Sequence, residues 1–199
     1  MLKSRFFASI FCLKWIKRWG LKANSFEENV MEHSWQVATI AHALALIHNN
    51  QGGQIDVNKV AVVALYHDVA EVITGDLPSP IKYHSSHIKK AYQSIEKEAE
   101  QTLYQMLPQS IQAHYCEVML HDHIPEEIHS IVKAADIISA YIKCQAELKA
   151  GNAEFDMAFK DIEQRLRNLN MPAVDYFMSV FNDSYLLTLD ELLAVHESS

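Results

Sequence analysis

Residues 57–76 read VNKVAVVALYHDVAEVITGD, and this stretch decides the fold. Its apolar positions recur at the spacing of an α-helix, and the inward arc runs Val57, Val60, Ala61, Ala64, Leu65. The next positions on that arc are His67, Asp68 and Glu71, so an apolar face turns abruptly chemical. Asp56 is the expected N-cap, and the helix is expected to last to about Ile73. Beyond it, Gly75-Asp76-Leu77-Pro78-Ser79-Pro80 cannot continue a helix. Glu71 lies four residues after His67 and three after Asp68, which gathers all three at one end of one face. An unpaired charge is expensive to bury, so such residues need partners or a metal ion.

Helical periodicity also dominates the flanks. Residues 4–19 pair apolar Phe6, Phe7, Ile10 and Phe11 with cationic Lys14, Lys17 and Arg18, and Arg18 is expected to close that helix. Asn29-Val30-Met31-Glu32 has the form of a capping box, opening a helix to about His48 with Val37, Ile40, Ala41 and Leu44 inward. Further helices are expected at about 84–106, 110–121, 126–150, 153–168, 172–181 and 188–196, with breaks at Gly151-Asn152 and Asn170-Met171-Pro172. No run alternates long enough for a strand, and there is no repeat or long linker. The expectation is an all-α, single-domain helical bundle over residues 1–199.

Composition narrows the function. Of 199 residues 49% are apolar and 21% charged, values of a folded chain rather than a disordered one. Five Gly and five Pro are too few for a turn-rich β-barrel or a Gly-rich phosphate loop. The net charge of −8 argues against a nucleic-acid polymer as partner, although a few local cations would still hold a small anion. Cys12, Cys116 and Cys144 show no CxxC spacing, so neither a disulfide framework nor a thiolate zinc site is expected. The apolar run near the amino terminus is short and followed by Lys14, Lys17 and Arg18 without a cleavage site. No stretch would span a membrane, and a cytoplasmic protein is expected.

Two more ionisable residues interrupt apolar stripes. Asp136 lies within Ile131–Tyr141 with no cation four residues away, and His33 precedes Val37 and Ile40 on the inward face of its helix. A lone inward histidine is more often a hydrogen-bonded core residue than a ligand. Two imidazoles and two carboxylates from three helices, however, suit a divalent metal with open positions for water and substrate. His121-Asp122-His123 reads instead as a solvated helix end, and His42, His48, His84, His87, His114, His129 and His196 share no face. Glu96, Glu98 and Glu100 read as a wet surface paired with lysines.

The order His33, His67-Asp68, Asp136 resembles the HD superfamily of metal-dependent phosphohydrolases. Glu32-His33-Ser34, Tyr66-His67-Asp68-Val69-Ala70-Glu71, Thr74–Tyr83, Arg18-Trp19 and the chain length are similar to bacterial 5′-deoxynucleotidases of the YfbR type. The resemblance runs from the Phe-rich amino terminus to Asp175-Tyr176-Phe177, with Ser79 and Ile81 standing where the family would carry Thr and Val. It implies an HD-type bundle that removes phosphate from deoxyribonucleoside 5′-monophosphates.

The resemblance implies one divalent ion (Co, Mn, Ni, Fe, Zn or Mg) on His33, His67, Asp68 and Asp136, polarising a phosphoryl oxygen and activating water. Glu71 would transfer a proton, to or from water or the leaving 5′-oxygen, and Asp76 would orient one of them. Arg18, Ser79 and Lys82 would bind substrate, the two cations gripping phosphate, and Trp19 would reject a 2′-hydroxyl by occupying its place. Tyr176, Phe177, Phe181, Leu186 and Leu189 supply apolar surface for a homodimer. The rival expectations are an HD phosphohydrolase for a cyclic nucleotide, a triphosphate or an alarmone, and a nucleotide-binding module without turnover.

Overall fold

The computed structural model describes residues 3–194, so His196 and the end of the helix expected at 188–196 lie outside the described residues. The chain begins with a single turn of helix, α1 (Phe6–Ile10), which tightens into a 3₁₀ turn over Phe11–Trp15 and ends at the extended Ile16. The expected helix to residue 19 stops here because its hydrogen bonds go elsewhere. Lys17 bridges Asn29 in antiparallel fashion, the Arg18 N–H donates to the Glu28 carbonyl at 3.0 Å, and the Val30 N–H donates to Ile16 at 3.0 Å. Arg18 therefore closes no helix. Trp19 follows with φ +59°, a left-handed conformation that costs a bulky side chain on the order of 1 kcal/mol or more.

Helix α2 (Val30–Asn50) starts at the expected box: Asn29 Oδ1 accepts from the Glu32 N–H at 3.0 Å, and Glu32 reaches back to Asn29. Asp56 caps α3 (Val57–Tyr66) by accepting from the N–H groups of Asn58 and Lys59. This helix ends seven residues earlier than the periodicity implies. His67 Nδ1 lies 2.8 Å from the Ala64 carbonyl, the acceptor that the Asp68 N–H would take in a continuous helix. The next bonds tighten to i→i−3, from Val69 to Tyr66 and from Glu71 to Asp68, before the short α4 (Glu71–Thr74). Leu65 is exposed with Val62, and Val63 takes the inward place instead. Gly75, at φ +71°, then turns the chain out of α4, a step a Cβ would strain.

The rest follows the expected breaks: α5 (Ser79–Lys82), α6 (Ser86–Gln105), α7 (Gln109–Met119), a 3₁₀ turn at His121–His123, and α8 (Glu126–Lys149) after Pro125. Then come α9 (Asp156–Arg167), α10 (Pro172–Phe181) and α11 (Leu189–Leu193). No strand occurs among the described residues, and none of their helices is long and apolar enough to cross a membrane.

Two apolar cores result. The larger joins α2, α3, α8, α9 and α10 through Val37, Leu44, Val60, Ile138, Ile162 and Phe177. The smaller holds Phe6, Val69, Leu103, Leu107, Met119 and Leu120. Residues 67–70 form the seam between them, and His67 and Asp68 sit there. On the outer surface Tyr176, Phe181, Leu186 and Leu189 remain exposed, while Phe177 is buried.

Candidate metal centre and active site

His33, on the first turns of α2, is fully buried. Its Nδ1 faces Ser139 Oγ at 3.3 Å and Glu28 Oε1 at 3.6 Å, and the Ser139 hydroxyl itself donates to Gln36 at 3.1 Å. With His67 Nδ1 on the Ala64 carbonyl, both imidazoles have their inner nitrogen engaged. Both Nε2 atoms are buried without a hydrogen-bond partner. They point at acids: Asp68 Oδ2 lies 3.1 Å from His67 Nε2 and 3.5 Å from His33 Nε2, and Asp136 Oδ1 lies 3.1 Å from His33 Nε2. Ligand atoms of His33, His67 and Asp68 all fall within 4.8 Å of one another, a group that can hold a metal ion. Anchored Nδ1 and free Nε2 is the setting in which histidine ligates a metal, and mixed imidazole and carboxylate donors suit a divalent ion. Asp136 reaches the same centre from α8, its side chain 37% exposed.

The charges are strongly coupled. Burial alone would raise the Asp68 carboxyl, but the His67 and His33 imidazoles and the Arg18 guanidinium hold it well below its ordinary value. Burial and Arg18 pull His33 down, yet Asp136 and Glu28 facing it push its pKa up to about 9. Glu71 moves the other way. Burial, reinforced by Asp68 and Asp76, pushes its carboxyl up to about 10, and its Oε2 has no hydrogen-bond partner. Asp76, in the loop after α4, is also raised, chiefly by burial.

Arg18 reaches the centre from the extended segment, with Nη1 3.5 Å from Asp68 Oδ2. Trp19 packs against Phe155 at 5.4 Å between ring centroids, and its Nε1–H donates to Glu28 Oε2 at 2.7 Å. The remaining loop residues are less directly placed. Lys82 Nζ is held by Glu96 at 2.9 Å and lies over the Tyr92 ring, and Ser79 is exposed at the start of α5.

A cavity of about 560 Å³ opens beside His67 and Asp136, walled by Val63, Met119, Ile124 and Leu169 and flanked by Lys133. His121 is exposed in the 3₁₀ turn, as its reading as a solvated helix end has it, and it stacks on His129 with ring centroids 4.1 Å apart and His129 Nε2 2.9 Å from the His121 carbonyl; both line the cavity. The cavity corrects one expectation. Glu100 is no wet surface residue: it lines the same cavity and accepts from the His121 N–H at 3.1 Å, and burial pushes its pKa up to about 7. Two residues escaped the reading of the sequence altogether. Ser139, three residues after Asp136, shares its face and could have been found by that spacing; Glu28, outside any helix, carries no periodic signal.

Comparison with known proteins identifies the family. The family model described as 5′-deoxynucleotidase YfbR-like matches residues 5–185. A 5′-deoxynucleotidase of Photorhabdus temperata is 47% identical over 95% of this chain and 96% of its own, and one of Vibrio vulnificus is 48% identical over 96% and 100%. Among solved structures, an HD-domain phosphohydrolase from Listeria innocua superposes with a TM-score of 0.79 at 22% identity, covering 92% of this chain and 88% of that one. An HD phosphohydrolase of cyanophage S-2L, bound to dA and one catalytic zinc ion, superposes at 0.63 with 21% identity over 91% and 96%. These two likenesses carry the fold. The agreement in sequence, nearly end to end, carries more: the chain belongs to the YfbR-like 5′-deoxynucleotidase family.

Proposed function

We propose that this chain hydrolyses deoxyribonucleoside 5′-monophosphates to a deoxynucleoside and inorganic phosphate, with His33, His67, Asp68 and Asp136 holding one divalent ion. The observation that carries this reading is the pair of buried Nε2 atoms without hydrogen-bond partners, facing two carboxylates, beside a buried Glu71 whose Oε2 is also unpartnered. When bound, the cation supplies Lewis acidity toward a phosphoryl oxygen and toward water.

The chain's own residues do the rest. Water attacks phosphorus, the P–O5′ bond breaks, and the departing 5′-oxygen takes a proton from Glu71, whose carboxyl burial pushes up; the carboxylate left behind regains a proton from the water-derived oxygen of the phosphate. Asp76 orients the attacking water or the leaving oxygen. Arg18 grips the phosphate, with Ser79 and Lys82 on the loop side. Trp19 fills the space of a 2′-hydroxyl, and its strained backbone and indole bond to Glu28 support a fixed ring. A ribonucleotide would then meet a clash or an unpaired polar group. The cavity beside His67 and Asp136 lies within the size range of small-ligand sites.

The same reading makes the protein a cytoplasmic homodimer that acts on free nucleotides rather than on a nucleic-acid polymer or at a membrane. Exposed Tyr176, Phe181, Leu186 and Leu189 and three free cysteines support it. The deciding experiment is phosphate release from dAMP and AMP with Mn, Co, Mg or Zn, with and without chelator. We expect turnover of dAMP that exceeds AMP and vanishes on chelation. Equal rates on both substrates, or release that survives metal removal, would overturn the proposal.

A further inference from the structure

Glu28 stands just before the capping Asn29, in a Glu27-Glu28-Asn29 run that looks like a solvated turn. The structure buries it. Its two oxygens divide their work. Oε2 accepts from Trp19 Nε1–H at 2.7 Å and lies 3.6 Å from Arg18 Nε, while Oε1 lies 3.6 Å from His33 Nδ1. Its backbone carbonyl also accepts from the Arg18 N–H at 3.0 Å. One carboxylate thus touches a metal-centre imidazole and both residues assigned to the sugar and the phosphate.

We propose that Glu28 is a positioning residue that ties the metal centre to Arg18 and Trp19, so that cation affinity and selectivity for a 2′-deoxyribose depend on one side chain. The inference rests on the reading of the chain as a 5′-deoxynucleotidase only where it assigns Arg18 and Trp19 to the substrate.

The chemistry of the contacts supports it. A carboxylate facing the Nδ1–H of a histidine fixes the tautomer and makes Nε2 a better donor to a cation. Ser139 Oγ faces the same Nδ1, and since its hydroxyl proton goes to Gln36, its oxygen can only accept there. His33 therefore meets two acceptors. Arg18 is stretched between two acids, Nε toward Glu28 and Nη1 toward Asp68. Trp19 sits at a φ of +59° that costs a bulky residue strain; the Lys22 N–H and Asn24 Nδ2 hold its carbonyl, but its ring needs a hold of its own. Its indole bond to Glu28 and its packing on Phe155 provide one. Just beyond, the Ser25 and Phe26 N–H groups are tied to Glu147 at 2.9 and 3.0 Å, so the loop cannot easily follow a displaced ring.

Glu28→Gln separates positioning from bulk. The amide has one acceptor and one donor end, so it can accept from the indole or from His33 but not from both. In the metal-free protein, calorimetric titration with Mn or Co should show affinity lowered about 10–100-fold. At saturating metal, the kcat/KM preference for dAMP over AMP should fall by about tenfold, with the metal-free protein still unfolding in one cooperative transition. Metal affinity and preference both within about twofold of wild type would overturn the proposal, and loss of one alone would overturn the coupling. Should that variant fail to fold, Trp19→Phe keeps an aromatic ring but removes the Nε1–H. Its metal affinity should shift by about threefold or more although Trp19 is no ligand, and an unchanged affinity refutes the link. Because the titrations use no substrate, they test the coupling even if wild-type protein releases no phosphate, a result that would instead overturn the assigned activity.

Discussion

Helix α8 carries two buried ionic clusters, and they are built on opposite principles. Toward its C-terminal end, Glu147 is fully buried and accepts from the Ser25 and Phe26 N–H groups, from Asn152 Nδ2 and from Lys143, whose ammonium also donates to the Phe26 carbonyl. Burial alone would raise that carboxyl, yet these donors push its pKa down to about 2. Nearer the middle, Asp136 joins a group in which His33 Nε2, His67 Nε2 and Glu71 Oε2 have no hydrogen-bond partner. A saturated buried charge is scaffold: it pins a loop and has nothing left to offer. An unsaturated one carries a standing cost that a bound ligand would relieve.

The contrast can be broken from either side. Glu71→Gln should lower kcat on dAMP by about 10²- to 10⁴-fold, the range for loss of a proton-transfer group. Its melting temperature should hold or rise, because the variant removes an acid in an unfavourable setting; a kcat within about threefold of wild type would take Glu71 out of the chemistry. Glu147→Ala should do the reverse. Leaving Lys143 buried without its partner should cost about 3–5 kcal/mol in a urea titration, with kcat nearly unchanged while the protein stays folded.

The smallest effect sharpens the comparison at an intermediate case. The folded-state pKa of Glu100, about 7, lies above its unfolded value, so the folded protein binds this proton more tightly. The resulting stabilisation is complete below the unfolded value and is lost as pH rises through about 7. Glu100→Gln, which still accepts from the His121 N–H, should therefore gain about 1 kcal/mol on wild type between pH 5 and pH 8, a figure reduced for partial exposure. Parallel urea midpoints would expose a flat difference if the shift is absent.

What could be read directly from the chain was local. The Asn29–Glu32 box, the Asp56 cap and the starts after Pro125 and at Pro172 need only neighbours in sequence, and they stand where expected. His33, His67, Asp68 and Asp136 stood out because each violates an apolar stripe, and they do meet. The break after Tyr66 was hidden because Val69, Val72 and Ile73 keep helical spacing, and a side-chain nitrogen on the Ala64 carbonyl leaves no trace in a pattern. The course of Lys17–Trp19 depends on residues 28–30, a pairing that periodicity does not encode. Lys143 and Glu147 look like any surface i,i+4 pair; only the loop folded over them makes them interior.

Asp136, Ser139, Lys143 and Glu147 follow one another at intervals of three and four residues along α8. One rod thus sets both the angle at which the acid meets the imidazoles and the height at which the loop below Trp19 is fastened. Inserting or deleting a single residue between positions 136 and 147 would turn one set away from the other by about 100°. That stretch can accept exchanges of side chain far more readily than any change in its length.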